Sequence, residues 1–425
     1  MVINILTVIN RILWGITTIL LIISGVFFSK KLKWLQFNLK DMLKGFKKSG
    51  TEKVSPFETL MLTLGARIGV GSLAGVALAI YIGGPGTIFW MWIATIIVVP
   101  NAYVESFLGV LYHEKKDGMY QGGPSYYIGN GLNKKWLGKI YALLVIVTYI
   151  FGFLTIQSNT IAKSFETFGG LNPLVTGILL ALLTGYIIMK GTKNIIDVSS
   201  KIMPFIGILY LGVSFYVIIT NINLLPIVLK NIIVEAFNFK SAGVGVLTTF
   251  IIGFQRGIFS NEAGIGSGAI AASTVDNDDA KGQGMIQIAG IYFTTLILCT
   301  LTAITIMMSN YTSINISDIN GIEITQYALN CHLGFIGEII LIVTIFIFAF
   351  STIISGYYYG ENSLRFLKKN IKKRHILILQ IVTVGLLIIG SISNSSILWN
   401  LVDILIAIMG IINIYAIFKL RDKVK

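Results

Sequence analysis

The chain of 425 residues predicts an all-α polytopic membrane protein with about eleven transmembrane helices. Three observations carry that prediction. Hydrophobic residues make up 55% and charged residues 12%, with a mean hydropathy of +0.80, too little charge to coat a soluble protein of this length. Apolar windows of about 20 residues recur along the whole chain. The basic residues are also segregated. If the spans alternate from an external N-terminus, all but six of the 33 Lys and Arg fall in or beside loops on one face, which the positive-inside rule makes cytoplasmic. Of those six, Arg11, Lys163, Lys230 and Lys240 lie outside, while Arg67 and Arg256 lie within the membrane. The formal charge of +14 therefore reflects topology rather than nucleic-acid binding.

The expected spans are about 8–28, 57–81, 85–111, 137–164, 172–190, 198–220, 243–272, 284–309, 334–358, 375–391 and 397–418. The first lacks a basic leader and a small-residue cleavage site, so it reads as a retained helix. The lysine-rich linker 29–56 mixes apolar and basic positions at helical spacing, which suits an interfacial segment on an anionic leaflet. The next span carries Gly65, Gly69, Gly71 and Gly75 around Arg67 and Ser72, where a passive anchor would carry Leu and Ile. Glycine weakens a helix, and arginine at membrane depth costs at least a few kcal/mol. Loosened backbone survives there only where it lines a protected cavity.

A second glycine-interrupted span, 243–272, is polar at Arg256, Ser260, Asn261 and Glu262 and then carries Gly264, Gly266 and Gly268. It lies five spans after the first, so the two enter from opposite sides. The chain then divides into an N-terminal helix and linker, 1–56, a five-helix block, 57–220, a connector, 221–242, and an inverted five-helix block with a basic tail, 243–425. Paired broken spans in corresponding positions mark the midplane site of a secondary transporter.

The motifs have competing readings. GVGSLA at 69–74 matches a dinucleotide fingerprint formally, but membrane-length flanks leave no room for a βαβ unit. The same glycine spacing also permits simple helix packing. Arg67 and Ser72 favour a site, with amides near Val70 and Gly71 holding a carboxylate and freed carbonyls left for a cation. Glu262 is read as the one carboxylate deep in a span beside other polar side chains. It could be counter-ion to Arg67 or Arg256, ligand for an amine or cation, or proton carrier. Gln157, Ser158 and Asn159 either bond between helices or line the cavity. Ser351 and Thr352 either bond back to their own helix or serve a hard cation. Asp403, Asn400 and Asn413 read as structural, and the tyrosines at 357–359 as an interfacial belt. Cys299, Cys331, His113, His332 and His375 show neither disulfide nor metal spacing, so no organic cofactor or metal cluster is expected.

Several strings in this order resemble the sodium:alanine (or glycine) symporters. They are GVGSLAGVALAIYIGGPGTIFWMW at 69–92, GGPSYYI at 122–128, QSNTI at 157–161, RGIFSNEAGIGS at 256–267, FAFSTII at 348–354 and GYYYGE at 356–361. The resemblance spans roughly 57–420 and implies a LeuT-type inverted-repeat fold with Na⁺ as coupling ion. It also implies that Gly69, Val70, Gly71, Ser72, Gln157, Asn159, Phe259, Ser260, Asn261, Glu262, Gly264 and Gly266 form the substrate pocket. The Na⁺ ligands it implies are Gly65, Ile68, Phe348, Ser351 and Thr352. The chain departs from the family at Ser72, where Asn is usual, at Thr294, where many members carry an acid, and at Ile412, where Pro is usual.

The expected function is Na⁺-coupled import of a small neutral amino acid, alanine or glycine, across a bacterial-type inner membrane, with the C-terminus cytoplasmic. The bilayer is a partner and nucleic acid is not. A proton-coupled carrier, with Glu262 titrating, and a non-transporting amino-acid-binding paralogue are the alternatives. A membrane enzyme lacks any nucleophile–base pair or cofactor motif to support it.

Overall fold

The computed structural model describes residues 2–46, 53–238, 245–310, 312, 321–368 and 370–424. Parts of the basic linker (Lys47 and Lys48), of the connector (Lys240) and of the tail (Lys425) lie outside the described residues. The architecture is helical, with one two-stranded antiparallel hairpin, β1 (Glu114–Lys116) and β2 (Met119–Gln121).

Helix α1 (Val2–Lys31) is followed by a short α2 (Leu39–Lys44). Next comes a bent pair, α3 (Pro56–Arg67) and α4 (Gly71–Gly83), inclined by 55° at the break between them. Pro56 opens α3, and Ser55 and Glu58 cap it reciprocally. Its end is set by Ile68, whose ψ of 73° leaves the helical region. Helices α5 (Gly86–Leu111), α6 (124–131), α7 (Lys135–Gly169), α8 (Pro173–Ile188), α9 (Thr192–Thr220) and α10 (Leu225–Ala236) follow. The second break separates α11 (Val246–Asn261) from α12 (Ser267–Ala272). Then come α13 (Ala280–Met307), α14 (Gly321–Leu333), α15 (Phe335–Leu367), α16 (Lys373–Ser391) and α17 (Ser395–Lys419).

Among the described residues, eight single helices are long and apolar enough to cross a membrane, or nine if the bent pair is one span. The expected spans at 172–190 and 243–272 correspond to the 16-residue α8 and to the α11/α12 pair, each too short alone to meet that length. Helix α1 packs along α17 and α5, and α5 in turn packs against α11 and α13. Helix α3 is enclosed by α9, α12, α13 and α15, and α7 lies against α15 and α16. Both breaks are thus held at the centre of the bundle. Tyr357, Tyr358 and Tyr359 are buried there instead of forming an interfacial belt, and Tyr359 meets Tyr149 edge-on at 5.0 Å. The cause is Gly356 and Gly360 on the same helix, whose missing side chains let α15 approach Leu154 and Ile150 of α7 closely.

Candidate substrate and cation site

At the first break, α3 ends against the middle of α15. Ser351 Oγ lies 3.2 Å from the Gly65 carbonyl and 2.8 Å from that of Phe348, and Thr352 Oγ1 lies 2.9 and 3.1 Å from the same two oxygens. Each hydroxyl owns one proton, so two protons serve four oxygen–oxygen contacts. Each proton is therefore shared between the back-bond to Phe348 and the Gly65 carbonyl, which leaves an oxygen-rich cluster that a hard cation could take. All four residues are buried. Ile68 is buried at the turn just beyond, and no hydrogen bond places its carbonyl in this cluster.

One residue further along, the Val70 N–H donates to Gln157 Oε1 at 3.1 Å. Gln157 thereby occupies the amide expected to hold a carboxylate. Gly69 is required by close approach: a Cβ there would sit 2.3 Å from Thr352 Oγ1 and 2.9 Å from Gln157 Oε1. The cation cluster and the amide are therefore neighbours on one short stretch of backbone.

The wall beyond Gly71 joins both breaks. Ser72 Oγ meets Ser260 Oγ at 3.2 Å, and Ser260 Oγ meets Cys299 Sγ at 3.1 Å. Phe259 covers Gly71 closely enough that a Cβ there would sit 2.9 Å from its ring. That ring stacks on Phe153 at 5.1 Å and tilts against Trp399 at 4.9 Å. Arg256 lies over Phe259 and Trp399 and donates to Asp403 at 2.5 Å. Above this pair opens a vestibule of about 470 Å³, lined by Asn10, Trp14, Gln255 and Asn400 among others. Asn10 donates to Asn400 and Asp403, and Trp14 donates to the Asp403 carbonyl, so α1 fixes one side of the closure.

The second break is filled differently. Glu262 takes a left-handed conformation, φ 55°, and its carboxylate accepts from Tyr149 at 2.7 Å and from Ser267 at 2.8 Å, tying α11 to α12. Neither Arg67 nor Arg256 reaches it within 4.0 Å: Arg256 pairs with Asp403, and Arg67 donates to Gln287 at 3.0 Å. The Gly264 carbonyl accepts from Asn413 at 2.9 Å, and the Ile265 carbonyl accepts from Tyr141. Asn413 also donates to Glu105 at 2.9 Å. Asn261 turns away to Thr95 and Thr295, and Gly264, at φ 82°, packs on Leu21 of α1. Gly266 faces Pro124 and Tyr141. Asn159 donates to the Gly390 and Ser393 carbonyls, joining α7 to the end of α16.

The expected pocket residues thus form two groups. Gly69, Val70, Gly71, Ser72, Gln157, Phe259 and Ser260 converge, whereas Asn159, Asn261, Glu262, Gly264 and Gly266 serve contacts around them. Sequence reasoning missed Cys299, Trp399 and above all Glu105, a fully buried carboxylate that contradicts the reading of Glu262 as the one deep acid. Its signal was present, since Glu105 is the only charged residue within 85–111.

Two broken helices packed together at mid-bundle, with an oxygen cluster and a backbone amide held by a side chain at the break, define the chain as a helical secondary transporter. Its fold agrees with solved transporters. MhsT in complex with L-phenylalanine aligns with a TM-score of 0.64 at 16% identity, covering 87% of this chain and 90% of that one. A Na⁺-coupled sialic acid symporter aligns with a TM-score of 0.56 at 15% identity, covering 95% and 84%. This is the LeuT-type architecture.

A profile described as the sodium:alanine symporter family matches residues 1–425, and the chain belongs to that family of Na⁺-coupled membrane carriers, which are not enzymes. Among its relatives, the "Probable sodium/glutamine symporter GlnT" of Bacillus subtilis is 38% identical, over 99% of this chain and 89% of that protein. The "Sodium/alanine symporter AgcS" of Methanococcus maripaludis is 32% identical, over 99% and 95% respectively.

Proposed function

We propose that the protein imports a small neutral amino acid, alanine or glycine, together with Na⁺ by alternating access. The observation that carries this reading is the cluster of Gly65, Phe348, Ser351 and Thr352 oxygens, short of protons, directly beside the Val70 amide. Na⁺ would sit among these oxygens, taking hydroxyl and carbonyl lone pairs while the two O–H groups turn away from it. The substrate carboxylate would take the Val70 amide from Gln157, whose amide group would turn to donate, and would reach the neighbouring Gly71 amide. Ion and substrate would then stabilise one arrangement of the same break, which is how two ligands bias a conformational equilibrium jointly. Phe259 over Gly71 supports a short side chain. The blocks 57–220 and 243–425 are assigned as inverted repeats among eleven spans, in an inner membrane, with the N-terminus outside and the tail cytoplasmic.

A second reading has one observation in its favour. Arg67 and the buried Glu105 both flank Gly268, and the charge of the buried Glu262 at the same break also acts on Arg67 without a direct ion pair, so the locus carries more acid than base. A proton could travel with, or instead of, Na⁺. Proteoliposome uptake of labelled alanine, glycine and glutamine under separate Na⁺ and pH gradients tests both. Alanine or glycine uptake that needs the Na⁺ gradient is expected. Uptake in Na⁺-free buffer driven by a pH gradient would shift the assignment to protons. Binding without flux would make the chain a non-transporting paralogue, and preference for glutamine would overturn the size argument from Phe259.

A further inference from the structure

On the lysine-rich side, the end of α1 turns back through two consecutive left-handed residues, Lys33 at φ 52° and Trp34 at φ 57°. Neither is glycine, so the backbone is strained at both. The turn is held from beneath. The Trp34 N–H donates to the Ser29 carbonyl at 2.7 Å, the buried Gln36 side chain donates to Ser29 Oγ at 2.8 Å, and Tyr292 donates to the Gln36 carbonyl at 3.0 Å. The strain throws Trp34 outward, 52% exposed, to stack with Phe37, 58% exposed, and Leu39 and Leu43 continue the same apolar lip.

Behind that lip lies a crevice of about 440 Å³ lined by Lys31, Lys33, Lys281, Asn38 and Asp41, together with Trp34 and buried neighbours. Its one acid is already answered: Asp41 pairs with Lys44 at 3.0 Å and lies 3.8 Å from Lys281. Lys31 is bound to Asp422 at 3.3 Å. Lys33 has no ion-pair partner among the described residues. The crevice therefore keeps a positive excess at the foot of an exposed aromatic and aliphatic lip.

We propose that this crevice binds the phosphate headgroup of an anionic membrane lipid, with Lys33 and Lys281 on the phosphate and Trp34 and Phe37 against its glycerol and upper acyl region. Charge complementarity selects an anionic over a zwitterionic lipid. The indole and phenyl rings suit the boundary between headgroup and hydrocarbon. The crevice shares no lining residue with the substrate and cation site, and the proposal does not depend on which amino acid is carried.

The test is native mass spectrometry of the purified full-length protein, released from detergent with phosphatidylglycerol or phosphatidylcholine added. Retention of phosphatidylglycerol, and not of phosphatidylcholine, is expected. Each lysine near an anionic surface is worth roughly a factor of five, so Lys33→Ala with Lys281→Ala should lower retention about tenfold or more. Lys368→Ala with Lys373→Ala, on the same side but outside the crevice, should leave it unchanged. Equal retention of both lipids, no loss in the first pair, or equal loss in the second would each overturn the proposal. So would displacement of the lipid by inorganic phosphate at millimolar concentration, which would assign the crevice to a soluble anion.

Discussion

The two helix breaks are built from the same materials and end in opposite states. Both are glycine-rich, both lie at mid-bundle, and each has an arginine close by. At the first, besides the backbone bonds Ile68 N–H to Leu64 and Ser72 N–H to Gly69, the stretch from Gly65 to Gly71 meets two hydroxyls that share their protons and one side-chain amide among the described residues, so it has capacity left over. At the second, the Gly264 and Ile265 carbonyls and the Glu262 carboxylate are taken up by Asn413, Tyr141, Tyr149 and Ser267. One break is open to ligands and the other is latched by the protein itself. A broken helix by itself therefore does not make a binding site; unspent hydrogen-bonding capacity does.

The largest expected effect removes that capacity at the first break. Ser351→Ala with Thr352→Ala should abolish Na⁺-stimulated alanine uptake while leaving expression and monodispersity intact. Unchanged Na⁺ dependence in the double variant would move the ion elsewhere. Next, a methyl group added at each break should separate their roles. Gly69→Ala places a Cβ 2.3 Å from Thr352 Oγ1 and 2.9 Å from Gln157 Oε1, so stability should fall and uptake by the protein that remains folded should fall at least tenfold. Gly264→Ala combines a left-handed backbone with a Cβ 2.3 Å from Leu21, so it should destabilise the protein by about 1–3 kcal/mol. If the folded fraction of Gly264→Ala loses uptake as fully as that of Gly69→Ala, the contrast between the breaks fails.

A smaller effect is expected from Tyr149→Phe, which leaves one Glu262 oxygen without its donor. A hydrogen bond to a charged group contributes about 1.5–3 kcal/mol, so a lower melting temperature should accompany an unchanged Na⁺ half-saturation. A shifted Na⁺ half-saturation would mean that the second break takes part in ion binding.

How legible these differences were in the sequence follows from their range. The breaks themselves could be read, because glycine clusters and a charge within an apolar run are local signals. So could Ser351 and Thr352, adjacent hydroxyls on one helix. What could not be read is which side chain spends itself on which break. Asn413 reaches Glu105 across 308 positions, and Tyr149 reaches Glu262 across 113. Wide π-helical turns at Val147–Phe153 and Tyr292–Cys299 also rotate the helix faces that follow. A regular helical period therefore misplaces what comes after or within them. Asn159 turns to the end of α16, and Cys299 lands on the pocket wall. The short α8 and the divided α11/α12 blurred the span count in the same way, since hydropathy records apolar length and not where the backbone breaks.

The smallest effect concerns where the two broken helices are fastened together on the lysine-rich side. Asp276, in the loop after α12, accepts from the Lys53 amide at 3.1 Å, and its own N–H donates to the Val54 carbonyl at 3.2 Å, just before α3 begins. The Lys53 amide holds the Asp276 carboxyl below its usual range, with Lys115 at 3.4 Å adding to the effect. A depressed carboxylate stabilises the folded state above its unfolded value, and the benefit is lost as pH falls through the folded one. Because the side chain sits near solvent, Asp276→Asn should cost no more than about 1 kcal/mol at pH 7. The gap between wild type and variant should close as pH drops below about 4, while alanine uptake at pH 7 stays within twofold. If the gap persists at low pH, the Asn acts through packing and not through charge. If uptake collapses, this clasp between the breaks is part of the moving machinery, and the latched break is not a passive frame.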